Sequence, residues 1–145
     1  MANPGTVKTY DAKGCSIVLG GIIVNDFADG EFISITGMGG NFEAVIGADG
    51  SVNRNNKNVN LAIVTITVSQ TSSTNDLFTT KHIADKLDNS GKGSFLFKDN
   101  NGTSVLSSGQ AYIEGLPDAA NGNSLGTRAW IIHCPNPVYN VGGNL

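Results

Sequence analysis

The longest strand signal in the chain, from Val59 to Gln70, constrains the fold more than any other segment. Its odd-numbered face changes from apolar side chains at Leu61 and Ile63 to hydroxyls further along. The even-numbered face suits a buried sheet surface, because it carries Ala62, Val64, Ile66 and Val68. At ~3.3 Å per residue the segment spans roughly 35 to 40 Å, which exceeds the usual strand length. We therefore expect this strand to project beyond its own domain.

A turn and a polar segment between Gly47 and Asn60 precede this strand. Asp49-Gly50 is a strong signal for a tight turn, and the segment after it, SVNRNNKNVN, has almost no apolar side chains. Such a segment fits a solvated hairpin tip. It also fits an arm that contacts another subunit, because Asn and Arg side chains can bond to another chain's backbone at little desolvation cost. The length of the following strand favours the arm.

One helix signal, from Asp76 to Asp88, follows N-cap candidates in the segment SSTN. Its apolar stripe has a period of 3.6 residues and is predicted to pack on a sheet through Leu77, Thr80, Ile83, Ala84 and Leu87. His82 lies on the polar side of this helix, where we interpret it as a solvated histidine. The pattern therefore predicts an amphipathic helix that covers one side of a sheet.

Short strand signals separated by Gly, Asn and Asp turns occupy most of the remaining chain. They comprise CSIVLGGIIV, EFISIT, FEAVI, GSFLFK, TSVLSS, QAYIEG and GTRAWIIHC. In the last of these, Trp130 shares a face with Ile132 and Cys134 and is predicted to anchor a core or an interface. His133 lies among apolar neighbours and is interpreted as a core histidine.

These elements predict a mainly β fold. An antiparallel β-barrel or sandwich with one flanking α-helix is the simplest architecture for about eight or nine strands and one helix. The length of 145 residues suits a single domain. We expect that domain to cover residues 1–145, with an extended loop at about 47–60.

Composition and spacing argue against several classes of function. Lys and Arg are scattered along the chain, so tight binding of nucleic acid through phosphate neutralisation is not expected. Cys15 and Cys134 are expected to be buried thiols, and the two Cys and two His lack metal-site spacing. Most Asp residues lie in turns, and no catalytic or phosphate-binding motif is present, so we expect neither enzymatic activity nor a cofactor. We also expect no secretion signal and no membrane span.

Five segments in a fixed order carry a resemblance to a known family: FADGEFISI, GADGSVNR, TVSQTSSTND, FKDNNGTSVLSS and GTRAWIIHC. They resemble the tail tube proteins of contractile-tailed bacteriophages, and the likeness covers nearly the whole chain. The Gly-rich segment from Gly37 to Asn41 departs from the charged residues expected at that place.

The resemblance implies a β-barrel with a flanking helix that assembles into hexameric rings. The rings would stack into a tube through which DNA and the tape-measure protein pass, with the sheath protein and baseplate as further partners. The location implied is the tail of the virion, after synthesis in the host bacterial cytoplasm. The inter-ring arm of that family matches the loop at about 47–60, which assigns this role to Ser51, Asn53, Arg54, Asn55, Asn56 and Lys57.

A tube must also let a polyanion slide through its channel. A mildly acidic protein with a net charge of −3 and small hydroxyls on one strand face suits a channel that repels phosphate weakly. We therefore expect Thr65, Thr67 and Ser69 to lie on or near the channel side, with DNA passing without specific binding.

Other functions remain open on the sequence alone. The related tubes of secretion systems and of phage-derived bacteriocins share these features. A soluble module that binds a carbohydrate or another small ligand is the leading alternative from a different class. It would need an exposed aromatic platform, for which the chain offers Tyr10, Tyr112, Tyr139 and Trp130.

Overall fold

Antiparallel strands dominate the computed structural model, which describes residues 7–144. Its ten strands are β1 (Cys15–Leu19), β2 (Ile22–Ile23), β3 (Ile33–Thr36), β4 (Phe42–Ile46), β5 (Val52–Asn56), β6 (Leu61–Ser69), β7 (Gly93–Asp99), β8 (Val105–Ile113), β9 (Thr127–Pro135) and β10 (Val138–Asn140). The α-helix α1 (Thr74–Asp88) connects β6 to β7, and a short 3-10 turn, Ala12–Gly14, precedes β1.

The main sheet has the strand order β2-β1-β7-β8-β9-β6-β3, with β10 also paired to β8. Its layout is sandwich-like and does not close into a barrel. The prediction of a mainly β fold, an antiparallel barrel or sandwich with one helix, is thus confirmed, and of the two architectures the sandwich is the one observed. Closure requires matched ladders at both edges, and the edge strands are short, with two residues in β2 and four in β3.

The core lies on one face of β6 and β9 and is covered by β1, β7 and β8. The even-numbered residues of β6 are fully buried, as predicted. Trp130 and Ile132 of β9 pair with Ile66 and Val64 and continue the same buried face. The opposite side of the core is formed by Ile17, Leu19, Phe95, Phe97 and Leu106.

Strand β6 does not project from the fold. Every residue from Leu61 to Ser69 pairs with a residue of β9, from Pro135 to Thr127. The expectation that this strand extends beyond its own domain is therefore wrong, because a partner strand of equal length covers it. The separate element is instead the two-stranded sheet formed by β4 and β5, and all of its residues are exposed.

Helix α1 packs through a different face from the predicted one. Its buried residues are Thr74 and Phe78, and the Phe78 ring meets the Trp130 ring edge-on with centroids 5.4 Å apart. The predicted contacts are wrong for Leu77, Ile83 and Leu87, which are 47%, 54% and 85% exposed. Of the predicted stripe, Ala84 is half-buried and Thr80 is exposed.

Hydrogen bonds at the start of α1 explain this rotation. Trp130 Nε1 donates to Asn75 Oδ1 at 3.0 Å, and Asn75 Nδ2 donates to the carbonyls of Ser69 and Ser72 at 3.1 Å each. Asn25 N–H donates to Thr74 Oγ1 at 3.1 Å. The same rotation leaves His82 half-buried with its Nδ1 atom buried, so the interpretation of His82 as a solvated residue is wrong.

Both cysteines are buried free thiols, as predicted. Cys134 lies on the core face of β9, and burial raises its pKa to about 12. A thiol in such surroundings is a weak nucleophile at neutral pH. We therefore interpret both residues as part of the core.

We predict that Phe78→Ala lowers the free energy of unfolding by about 3–5 kcal/mol, because it removes a fully buried ring. Leu87→Ala is the matched control on the opposite side of the helix and should change it by less than ~0.5 kcal/mol. Urea denaturation of dilute protein, followed by tryptophan fluorescence, measures both values. Equal losses in the two variants would contradict the observed rotation of α1.

Candidate subunit-contact surfaces

The β4–β5 hairpin is held by its own ladder and by a tight turn. The register runs from Phe42 opposite Asn56 to Ile46 opposite Val52. In the turn, Gly47 O accepts from Gly50 N–H at 3.0 Å, and Gly50 has a φ of 86°, which favours glycine. The turn predicted at Asp49-Gly50 is thus confirmed.

Strand β5 lies within the segment predicted as a polar loop, so that prediction is wrong for Val52–Asn56. The alternation of apolar and polar residues that signals a strand arises when one face is buried. Both faces of β5 are exposed, and its sequence VNRNN therefore carries no such pattern. Backbone pairing with β4 makes it a strand.

The two faces of the hairpin differ in polarity. Because paired residues share a face, Phe42, Ala44, Ile46 and Val52 form an apolar face. The Arg54 guanidinium lies on this face, 4.4 Å from the centroid of the Phe42 ring. Phe42, Ile46 and Val52 are 55%, 71% and 71% exposed.

The other hairpin face is more polar and carries Glu43, Val45, Asn53 and Asn55. Next to it, Lys57 Nζ lies 3.4 Å from Glu43 Oε2, and both side chains are about half exposed. A surface ion pair of this kind contributes little to stability. The predicted arm residues are therefore brought together in one exposed hairpin, but on two different faces.

The β4 half of this surface was not predicted from the sequence. FEAVI was predicted as an ordinary strand, and the arm was placed only in the segment that follows. The tight turn at Asp49-Gly50 was the available signal, because it pairs the two flanking segments as a hairpin.

The hydroxyl face of β6 is the second candidate surface. Thr65, Thr67 and Ser69 alternate with the buried residues and are half-buried. They lie on the sheet face opposite α1, since the helix contacts Trp130 on the core face. Across the ladder, this outer face continues through Ile131, Ala129 and Thr127 of β9.

His133 also lies on this outer face, and the prediction of a core histidine is wrong. Its ring stacks on Tyr112 with centroids 5.3 Å apart, and its Nε2 atom is 3.6 Å from Glu114 Oε2. Glu114 and Asp118 border an open cleft of about 620 Å³ beside Thr127 and Ile131. Both carboxylates belong to exposed residues, unlike the buried titratable groups typical of a catalytic site.

Two further observations concern binding and location. Among residues 7–144, no cluster of three or more His, Cys, Asp or Glu could hold a metal ion. In the same part of the chain, no helix combines the length and the apolar character needed to span a bilayer.

The hairpin turn contains a carboxylate, Asp49, that accepts two hydrogen bonds from Ser51. Hydrogen bonds from Ser51 Oγ and from Ser51 N–H, at 2.6 and 3.0 Å, hold the pKa of Asp49 below its usual value. Because the pKa is lowered in the folded chain, the turn gains stability above the unfolded pKa and loses it as pH falls through the folded one. We predict that Ser51→Ala raises the pKa of Asp49, measured by carboxyl ¹³C NMR titration. An unchanged titration midpoint would contradict this role of Ser51.

The sequence matches no protein-family model. It is 33% identical over 140 residues to Structural protein ORF10 of Pseudomonas phage KPP10, covering 95% of this chain and 78% of that protein. The fold resembles that of the anti-feeding prophage cap, a tube-terminating cap, with a TM-score of 0.59, 12% identity and coverage of 96% and 95%. At that identity the second likeness shows the fold alone, whereas the first shows the family: this chain belongs to the phage structural proteins that include ORF10 of phage KPP10.

Proposed function

We propose that this chain forms the inner tube of a contractile phage tail, as stacked hexameric rings through which DNA passes. The observation that carries this proposal is the exposed β4–β5 hairpin with one apolar face, in a chain that belongs to a family of phage structural proteins.

A hairpin of two strands is marginally stable by itself in water. Burial of one large apolar side chain contributes about 1.5–3 kcal/mol, and Phe42, Ile46 and Val52 are all more than half exposed. Another subunit that covers this face would provide the missing burial. The arm role of Ser51, Asn53, Arg54, Asn55, Asn56 and Lys57 is therefore extended to the apolar residues of β4.

The geometry of assembly follows from contacts between unlike surfaces. A heterologous contact that closes generates a ring, and a second one between rings generates an open-ended tube. The partners in this proposal are further copies of the chain, with the sheath protein, baseplate and tape-measure protein at other surfaces. The proposed role is structural, in the tail of the virion, after synthesis in the host cytoplasm.

The hydroxyl face of β6 is the proposed channel side. The side chains of Thr65, Thr67 and Ser69 are uncharged and lie on the sheet face opposite α1. A net charge of −3 adds weak repulsion toward a polyanion, so DNA would pass without specific binding.

A tube-terminating cap is a second candidate, because the anti-feeding prophage cap shares the fold. A cap would form one ring and stop, whereas a tube protein would continue to stack. The tubes of secretion systems and phage-derived bacteriocins follow the same physical argument. A carbohydrate-binding module would instead remain near 15.0 kDa in size-exclusion chromatography at all concentrations.

We predict that deletion of Asn53 to Asn58 leaves a folded domain that no longer polymerises, because β4 and β5 form a sheet separate from the main one. Circular dichroism checks the fold, and negative-stain electron microscopy checks assembly. Tubes of normal length from this variant would overturn the arm proposal. Single rings from the unmodified chain would favour a cap.

Cysteine labelling tests the channel side. Both native thiols are buried, so Thr67→Cys supplies the reactive thiol of the folded chain. In assembled tubes we predict that this thiol reacts with a small maleimide and is protected from a maleimide carried on a large polyethylene glycol. The same variant with Asn53 to Asn58 deleted is the unassembled control and should react with both reagents. Equal reaction with both reagents in tubes would place Thr67 on the outside.

A further inference from the structure

We propose that the apolar hairpin face of one copy docks on the exposed face of α1 in a second copy, with Arg54 opposite Asp76. This inference rests on the proposed subunit-contact role of the hairpin and names the surface that receives it.

The receiving surface is a row on α1 formed by Asp76, Thr80, Ile83 and Leu87. These residues follow the spacing i, i+4, i+7 and i+11, which places them along one side of a helix. The row lies opposite Phe78, which packs against Trp130. Ile83 and Leu87 are 54% and 85% exposed, so the apolar part of the row faces away from the core.

The two faces match in length. From Phe42 to Ile46 the hairpin face extends ~14 Å, at about 3.4 Å per residue. From Asp76 to Leu87 the helix row extends ~16 Å, at 1.5 Å per residue. One hairpin could therefore cover most of the row.

The two faces carry opposite charges. Arg54 is the charged residue of the apolar hairpin face, and Asp76 is the charged residue of the helix row. Among the described residues, neither side chain forms an ion pair. The Arg54 guanidinium stacks on Phe42, which leaves its N–H groups available to donate to a carboxylate.

The occupant favoured by these features is another copy of this chain. The donor and acceptor faces are different surfaces of one molecule, so their contact is heterologous and can repeat from copy to copy. Each copy would then bury its hairpin on one neighbour and its helix face on another.

A charge-swap experiment on the full chain tests this contact. We expect Arg54→Asp and Asp76→Arg each to raise the critical concentration for assembly roughly tenfold or more, because each places like charges together. The double variant should restore the critical concentration to within about threefold of the unmodified chain, because the two charges are then again opposite. Sedimentation and negative-stain microscopy measure assembly, and circular dichroism confirms that every variant is folded.

The control pair uses the other hairpin face. Lys57 follows β5 beside Glu43, so Lys57→Asp combined with Asp76→Arg should show no rescue. Asp76→Arg also weakens α1, because it places a positive charge at the N-terminus of the helix. Ile83→Glu therefore tests the receiving face away from both ends of α1, where a new charge interacts little with the helix dipole. We expect Ile83→Glu to reduce assembly as strongly as Asp76→Arg.

The outcomes separate this inference from the proposed function. If hairpin variants prevent assembly while Asp76→Arg and Ile83→Glu assemble normally, the hairpin docks elsewhere and the helix contact is wrong. If both single variants fail and the double variant also fails, the direct pairing of Arg54 with Asp76 is wrong. If deletion of Asn53 to Asn58 leaves assembly intact, the arm proposal itself is overturned.

Discussion

The contacts of Trp130 determine how the parts of this protein fit together. Trp130 is buried on β9 opposite Ile66 of β6, so it belongs to the longest ladder in the fold. Its ring meets Phe78 edge-on, and its Nε1 atom donates to Asn75 at the start of α1. A buried indole gains both apolar burial and a hydrogen bond in this arrangement. These contacts fix the rotation of the helix and turn Leu77, Ile83 and Leu87 toward solvent.

Two apolar faces are left exposed within residues 7–144. One is the hairpin face of Phe42, Ile46 and Val52, and the other is the helix face of Ile83 and Leu87. Contiguous exposed apolar surface in a soluble protein marks an interaction site. For a member of a phage structural family, we propose these two surfaces as the contacts with neighbouring subunits.

Much of the fold follows from the sequence, and two kinds of error explain the differences. The buried face of β6, the turn at Asp49-Gly50 and the buried cysteines were all predicted correctly. Strand β5 was missed because hydrophobic alternation reports burial, and β5 is exposed on both faces. The helix stripe was assigned to the core because periodicity does not identify the partner of an apolar face, and His82 was misplaced for the same reason.

The sequence by itself therefore determined the mainly antiparallel β class, the single helix and the alternation of the core strands. These properties depend on local spacing, which each segment carries by itself. The tertiary structure alone decided the pairing of β6 with β9 along its full length, the separate β4–β5 sheet and the rotation of α1. These three features depend on contacts between segments that are distant in the sequence, such as Trp130 with Phe78 and with Asn75. No local pattern in the sequence specifies which distant segments pair.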